Sequence, residues 1–222
     1  MLWDVLDTLV YDPFYEHMPA FFDMSFQELM EAKHPTAWLE FEKGAIDEPQ
    51  FAASFFSDGR AVDMAGLKAH MAAQYRWVHG MDRLVADLAV AHPEVDMHLL
   101  SNYPTWYELI EDKCVARVTF APKRANAPAS HTKHTATCRL ALEQTHKLPW
   151  TFVSARTGYR KPDPAAYTSA VEALGCAASD VVFVDDRAAN VDAAQAVGMR
   201  GVLFDGDANG ARAALREYGL DV

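Results

Sequence analysis

Residues 181–191 read VVFVDDRAANV, a short apolar run that ends in two adjacent aspartates and is followed by a helix-forming sequence. The apolar run predicts a buried strand over 181–185, and the sequence after it predicts a helix that Gly198 stops. Two neighbouring carboxylates after a buried strand repel each other unless a cation shares them. Asp185 and Asp186 therefore predict a metal site at the carboxyl end of a strand.

The same pattern of strand and helix recurs along the chain. Further apolar runs predict strands at 2–6, 95–100, 149–153 and 200–204. Each run is followed by a helical pattern, such as the helix that Asp163 and Pro164 open and Gly175 ends. This alternation is typical of an α/β protein with a parallel sheet covered by helices on both faces.

The segment between the first two predicted strands shows no clear strand and is predicted to be helical. Ser25 and Glu28 have the spacing of a capping box, and Asp47 and Asp63 stand where helix N-caps are expected. A helical insert after the first strand of a parallel sheet predicts a cap over the ligand-binding edge of that sheet. The expected division is a core domain at 1–13 and 83–222 and a helical cap domain at 14–82.

Residues 114–150 differ in composition from the rest of the chain. They carry six Lys or Arg residues and one acid, a net charge of +5. His131, His134 and Cys138 match no strong zinc pattern, and low order is expected from about 121 to 135, with no catalytic role. The segment is either an atypical basic insertion within the core or untranslated sequence read into a gene model.

Composition also limits the expected partners. The formal net charge is -11 over 222 residues, which disfavours nucleic acid and anionic membranes as partners. No apolar run is long enough to span a membrane. Because the first predicted strand begins at Leu2, no room is left for a targeting peptide. The expected location is therefore cytoplasmic as the sequence stands, unless a targeting segment is missing.

Polar side chains stand at the other predicted strand ends as well. The segment LWDVLDTLV contains Asp4 and Thr8, HLLSNYP contains Ser101 and Asn102, and GYRKPDP contains Lys161. Hydroxyl and amide groups can donate to phosphate oxygens, and a lysine beside a helix N-terminus can share an anion. Each segment alone also fits a structural role, as a cap, an ordinary turn or a solvated lysine.

Together these segments resemble the haloacid dehalogenase (HAD) superfamily of hydrolases. The family pattern is an Asp followed by Thr-Leu, then a Ser or Thr, a Lys and a terminal acidic pair, each at a strand end and in this order. The match spans residues 2–204. The resemblance implies a HAD-like Rossmannoid core with a parallel sheet, and a helical cap inserted after the first strand. It also implies Mg²⁺-dependent hydrolysis of phosphomonoesters through an aspartyl-phosphate.

The resemblance further implies a role for each matched residue. Asp4 would be the nucleophile, and Ser101 and Lys161 would bind the transferring phosphoryl group and act with Asp4 in catalysis. The implied metal ligands are Asp4, the backbone carbonyl of Leu6, Asp185 and Asp186. The implied substrate-binding residues are Thr8, Ser101, Asn102 and Lys161. A metal and a lysine supply the neutralised oxygens that phosphoryl transfer needs.

One position departs from the family pattern. Family phosphatases carry a second Asp two residues after the nucleophile, as general acid and base, and here that residue is Leu6. A positioned acid or base contributes about 10²–10⁴ in rate. Three interpretations stay open: Asp7 or a cap residue replaces it, the protein is a 2-haloacid dehalogenase, or it is a non-catalytic flavin- or partner-binding protein. The acidic pair argues against the dehalogenase branch, because that branch works without magnesium.

A closer resemblance narrows the substrate. The runs DTLVYDPFYEHMPAFF, AKHPTAWLEFEKGAIDE, SNYPTWYELIEDK and VDDRAANV resemble a plant and algal group of HAD hydrolases that act on flavin mononucleotide (FMN). That group also has an apolar residue at the position of Leu6. The resemblance implies a small phosphate ester as substrate, FMN first, and a chloroplast location if a transit peptide is missing. Most of the aromatic residues of the cap are expected to form its own core rather than a flavin site.

Overall fold

The computed structural model describes residues 1–113 and 148–222. All residues that the sequence places in the site lie within these two ranges. Residues 114–147 lie outside the described residues, and so do the predictions of a basic insertion, of low order and of no zinc site that fall on them. Within the described ranges, no helix combines the length and the apolar character that crossing a membrane requires.

One parallel sheet is formed by the described strands, in the order β3-β2-β1-β4-β5. The strands are β1 (Leu2–Trp3), β2 (His98–Ser101), β3 (Phe152–Val153), β4 (Val182–Asp185) and β5 (Arg200–Leu203). Each predicted strand is present, and each is shorter than the apolar run that predicted it. The chain builds the sheet outwards from β1 in both directions, which brings the carboxyl ends of β1, β2 and β4 side by side. Open α/β sheets bind their ligands at such a switch in strand order.

Helices account for most of the remaining described residues. Between β1 and β2 lie α1 (His17–Phe21), α2 (Phe26–Ala32), α3 (Ala37–Glu42), α4 (Glu48–Ser54), α5 (Met64–Ala72) and α6 (Met81–Ala91). After β2 lie α7 (Tyr107–Lys113), α8 (Ser154–Thr157), α9 (Pro164–Leu174), α10 (Ala188–Ala196) and α11 (Ala208–Glu217), with a 3₁₀ helix at Ala178–Asp180.

Capping contacts confirm the helix ends that the sequence predicts. The Ser25 hydroxyl accepts the Glu28 N–H and the Glu28 carboxylate accepts the Ser25 N–H, so the capping box of α2 is complete. Asp47 and Asp63 accept N–H groups in the first turns of α4 and α5. At the other end of a helix, α9 stops before Gly175, whose φ of +66° suits the left-handed conformation that glycine favours.

Both faces of the sheet are buried, which explains the continuous apolar runs of its strands. Successive strand residues point to opposite faces: Trp3, Leu99 and Val184 belong to one apolar cluster, and Leu2 and Phe183 to the other. The cluster that contains Trp3 continues into helices α1 to α5. The helical segment therefore shares a continuous apolar core with one face of the sheet.

Candidate active site

Three carboxylates and one ammonium group meet at the carboxyl ends of β1 and β4. The Lys161 Nζ donates to Asp4 Oδ1 at 2.6 Å and to Asp185 Oδ2 at 2.7 Å. One oxygen from each of Asp4, Asp185 and Asp186 lies within 4.8 Å of the other two. Asp4, Asp185 and Lys161 are buried. Side chains that are far apart in sequence thus form one charged cluster, as their positions at strand ends predict.

Thr8 connects the two strand ends of this cluster. Its hydroxyl donates to Asp4 Oδ2 at 3.1 Å and accepts the backbone N–H of Asp186 at 3.1 Å. The side chain is fully buried, and the bonds fix the carboxylate of Asp4 relative to the chain after β4. Thr8 therefore positions the carboxylates, and its contact with substrate stays a prediction.

Asp185 and Asp186 stand in different surroundings. Asp185 Oδ1 accepts the Arg187 N–H at 2.8 Å and the Asn190 amide at 2.9 Å, and its Oδ2 accepts from Lys161 and Asn190. Asp186, by contrast, lines an open cavity beside Asp4. Of the acidic pair, Asp186 is therefore the residue that a molecule in the cavity could contact.

Ser101 and Asn102 follow β2 as predicted. Ser101 is buried and lines the cavity. Asn102 exchanges two hydrogen bonds with the backbone of Lys161, in which its Nδ2 donates to the carbonyl at 2.8 Å and its Oδ1 accepts the N–H at 2.8 Å. Asn102 therefore fixes the loop that carries the lysine, and its direct contact with substrate stays a prediction.

Burial dominates the electrostatics of the cluster. It raises the pKa of Asp4 to about 7, although the Lys161 ammonium opposes the shift. Burial also raises the pKa of Asp186 to about 6, and the charge of Asp185 adds to this shift. Burial works against the charged form of Lys161 as well, but Asp4 and Asp185 outweigh it and raise the pKa of that ammonium. The cluster is short of positive charge, so a further cation would be stabilised there.

A cavity of about 280 Å³ opens onto the cluster, close to the lower end of the roughly 300–1,000 Å³ that small-molecule sites occupy. Asp4, Ser101, Lys161 and Asp186 line it from the strand ends. The helical segment lines it with mainly apolar side chains, namely Phe14, Tyr15, Met18, Met30, Trp38, Leu39 and Met71, together with Lys33 and Glu42. The strand ends and the helical segment therefore enclose one shared cavity.

Most aromatic side chains of the helical segment form its own core, as expected. Phe41, Phe51, Phe55 and Phe56 are buried, and the rings of Phe41 and Phe51 stack at a centroid distance of 4.6 Å. Aromatic residues at the cavity are Phe14, Tyr15, Trp38 and Tyr103. Among residues 1–113 and 148–222, this smaller group supplies the aromatic rings that line the cavity.

Several charged residues at the cavity escape prediction from the sequence. Asp12 lines it, and burial raises the pKa of Asp12 to about 7 although the Phe14 N–H donates to its carboxylate. Lys33 also lines it, and Glu42 pairs with Arg160 at 2.7 Å. A weak signal exists for two of them, since Arg160 precedes Lys161 and Glu42 lies one helical turn after Trp38. The sequence gives no such signal for Asp12 and Lys33, because single Asp and Lys residues are common in a chain of which 23% is charged.

Comparison with known proteins gives matches along the whole chain. A family model for haloacid dehalogenase-like hydrolases matches residues 68–198. The chain is 40% identical over 222 residues to Flavin mononucleotide hydrolase 1, a chloroplast protein of Arabidopsis thaliana. That alignment covers 100% of this chain and 78% of the Arabidopsis protein.

Solved structures share the architecture at low sequence identity. A HAD family enzyme from Bacteroides thetaiotaomicron, in complex with magnesium and inorganic phosphate, is 18% identical with a TM-score of 0.68, over 92% of this chain and 93% of that one. The L-2-haloacid dehalogenase of Xanthobacter autotrophicus is 14% identical with a TM-score of 0.57, over 98% and 81% of the respective chains. At these identities, the similarity is one of fold.

Proposed function

Because this chain belongs to the haloacid dehalogenase-like hydrolase family, we propose that it is a magnesium-dependent phosphomonoesterase with Asp4 as its nucleophile. The observation that carries the proposal is the buried contact of Lys161 with both Asp4 and Asp185, beside the carboxylate of Asp186. FMN is the leading substrate, since the Arabidopsis relative is named as an FMN hydrolase. The products would be riboflavin and phosphate.

The donor set of the cluster fits magnesium. Its side-chain donors are carboxylate oxygens, which Mg²⁺ prefers over the nitrogen and sulfur ligands of softer metals. Burial disfavours the charged form of Asp4 and Asp186, so a bound cation would stabilise that form. Asp4, Asp186 and the backbone carbonyl of Leu6 would hold the ion, and Asp185 completes the acidic set. When bound, Mg²⁺ would neutralise charge on the phosphoryl oxygens and orient them.

The residues of the cluster suit transfer of a phosphoryl group in two steps. In the first, the Asp4 carboxylate attacks phosphorus and the bond to the ester oxygen breaks. Lys161 and Ser101 bind phosphoryl oxygens, and the ammonium offsets repulsion between these oxygens and Asp4. In the second step, water attacks phosphorus, so that phosphate leaves and the carboxylate of Asp4 is restored.

The proton for the leaving oxygen requires a donor other than Leu6. Three carboxyl groups that are not part of the acidic cluster, those of Asp7, Asp12 and Glu42, line the same cavity, and Glu42 is already paired with Arg160. We propose that Asp12 carries the proton, since a pKa of about 7 lets it donate to the leaving oxygen and accept from water near neutral pH. Asp7 would position it, because Asp7 Oδ1 accepts the Asp12 N–H at 2.9 Å.

We further propose that 14–82 acts as a cap on a core made of 1–13 and 83–222. The support is that this segment supplies much of the cavity wall and is tied to the core by the ion pair of Glu42 with Arg160. A cap that completes the cavity excludes water from the reacting groups, which strengthens the electrostatic contacts there.

A chloroplast location is likewise a proposal that rests on the Arabidopsis relative. The proposed partner is a small phosphate ester. The net charge of -11 disfavours the larger anionic partners, namely nucleic acid and anionic membranes. Imaging a fluorescent fusion of the complete open reading frame tests the location, and a purely cytosolic signal would contradict it.

Phosphate release from FMN and from a panel of sugar phosphates tests the activity, with Mg²⁺ or with EDTA. The wild type is expected to turn over FMN only with the metal, and Asp4→Asn is expected to abolish turnover because an amide is not a nucleophile. Asp192→Asn is the matched control, since Asp192 is an exposed acid on α10, and it should behave as wild type.

Other results would support the alternatives. Riboflavin and FMN binding without release of phosphate from any ester would favour a flavin-binding protein. Halide release from 2-haloacids in EDTA would favour a dehalogenase.

A further inference from the structure

Lys33 is a half-buried cation at the cavity, and its ammonium is unpaired within the part of the chain that the structure describes. It lines the cavity together with Phe14, Met30 and Trp38, and its ammonium makes no hydrogen bond or ion pair within residues 1–113 and 148–222. The nearby Glu42 already gives one carboxylate oxygen to Arg160 and the other to Trp38. Burial lowers the pKa of Lys33, as expected for an ammonium that has lost water and gained no close anion.

The backbone holds Lys33 firmly at this place. The residue follows the last turn of α2, and its N–H donates to Leu29 at 2.9 Å. Its carbonyl accepts from the Ser57 hydroxyl at 3.2 Å, and the chain forms a bridge with Phe56 on the same side. An ordered backbone that carries an unpaired cation into a cavity is preorganised for an acceptor on a ligand.

The surroundings of Lys33 favour a flat ring with a polar edge. Lys33 lines the cavity and a small adjoining pocket, and Phe14, Met18 and Trp38 line both of them with it. Aromatic rings and thioethers pack well against a planar ring. Beyond them, Tyr15 and Leu39 leave apolar surface exposed beside the cavity, at 49% and 38%. The isoalloxazine ring of FMN has an apolar dimethylbenzene edge and an opposite edge with two carbonyl oxygens, so it offers both apolar area and acceptors.

We propose that Lys33 is a specificity-determining residue whose ammonium donates to a carbonyl oxygen on the polar edge of the substrate's ring, while Phe14, Met30 and Trp38 contact the ring itself. This assignment rests on the proposed hydrolysis of FMN at Asp4. Two lysines that line one cavity would then bind different parts of the substrate: Lys161 binds the phosphoryl group, and Lys33 binds the ring.

The test compares Lys33→Met, Lys33→Arg and wild type. KM and kcat are measured for FMN and for ribose 5-phosphate, which has no isoalloxazine ring, and the Kd of riboflavin is measured by fluorescence quenching. A hydrogen bond from a charged group, once lost, is expected to raise the KM for FMN and the Kd of riboflavin at least about tenfold in Lys33→Met. The arginine variant should recover part of the loss, and turnover of ribose 5-phosphate should stay unchanged.

Lys43→Met is the matched control, because Lys43 is an exposed lysine just after α3 and does not line the cavity. Equal losses for FMN and ribose 5-phosphate in Lys33→Met would overturn the assignment, since they would place Lys33 at the phosphate. An unchanged riboflavin Kd would overturn it too. A wild type that neither hydrolyses FMN nor binds riboflavin would instead defeat the proposed function itself.

Discussion

Leu6 places an apolar side chain where the family pattern has a second Asp as acid and base. Two carboxyl groups close to it in sequence, those of Asp7 and Asp12, line the same cavity as Leu6. Asp7 comes next in the chain, with a φ of +57°, and its carboxylate accepts the N–H of Asp12. Burial raises the pKa of the Asp12 carboxyl to about 7. This pKa suits Asp12 to acid–base chemistry near neutral pH.

Asp12→Asn is therefore expected to lower kcat for FMN by about 10²–10⁴, the usual contribution of a positioned acid or base. Asp7→Asn should keep most of the rate, because the amide oxygen of asparagine can still accept the Asp12 N–H. Steady-state kinetics between about pH 5 and about pH 9 measure both effects, since loss of the titrating group also removes the limb of the profile near its pKa.

The opposite order of effects would reassign the role. If Asp7→Asn loses the rate and Asp12→Asn does not, Asp7 is the acid and base. If both variants keep the wild-type rate and pH profile, the proton moves through another group or through water alone.

At the scale of elements, an ion pair connects helix α3 to the loop that carries Lys161. Glu42 ends α3 and pairs with Arg160, which precedes the loop of Lys161. The Trp38 indole donates to the same carboxylate at 2.5 Å, and the Ser154 hydroxyl donates to the Glu42 carbonyl at 2.6 Å. The side chain of Glu42 is 7% exposed and that of Arg160 is 28% exposed. Removal of Arg160 therefore leaves a buried carboxylate, whereas removal of Glu42 leaves a guanidinium that water still reaches.

Arg160→Met is expected to destabilise the fold by about 3 kcal/mol or more, because it leaves a buried carboxylate uncompensated. Glu42→Gln should cost less, because Arg160 keeps contact with water. Urea unfolding measures both, and the double variant should lose less than the sum of the two. Arg83→Met is the control, since the exposed Arg83–Asp87 pair at 3.6 Å should contribute at most about 0.5 kcal/mol. Equal costs for all three single variants would contradict the buried role of the pair.

The elements that the sequence predicts best are those with a local cause. The capping box at Ser25, the N-caps at Asp47 and Asp63 and the stop at Gly175 depend on a few neighbouring residues, and the structure confirms each one. The strands follow from apolar runs, but their ends do not, because strand ends depend on hydrogen bonds to neighbours far away in sequence.

The candidate site divides in the same way. Asp4, Ser101, Lys161 and the acidic pair are predictable, because a parallel sheet gathers strand ends at one edge and the order of these residues resembles a family. Lys33 and Asp12 are not, since their importance comes from the packing of the helical segment around a cavity. The sequence around Lys33 does not distinguish it from a lysine whose side chain is fully solvated.

At the scale of the whole molecule, the site couples stability to pH and to metal. In the folded chain burial raises the pKa of Asp4 and Asp12 to about 7 and that of Asp186 to about 6, each from an ordinary 3.8. At pH values between the ordinary pKa of 3.8 and the raised pKa values, the folded chain therefore holds more protons than the unfolded chain. The free energy of unfolding therefore falls as pH rises, with this contribution fully present below about pH 4 and lost through about pH 6–7. Metal bound to the ionised carboxylates would act in the opposite direction, because it stabilises the folded state alone.

We therefore expect the free energy of unfolding in EDTA to fall by at least about 1.4 kcal/mol from about pH 5 to about pH 8, the value of one pKa unit. Millimolar Mg²⁺ should restore stability at the higher pH and have little effect at the lower, where protons occupy the carboxylates. Chemical denaturation across pH, with and without the metal, measures both effects. Asp186→Asn should flatten the profile in EDTA and lose the response to Mg²⁺, whereas Asp192→Asn should change neither. Stability that rises with pH in EDTA would show that the carboxylates are ionised and compensated in the folded chain, and an undiminished Mg²⁺ response in Asp186→Asn would place the ion elsewhere.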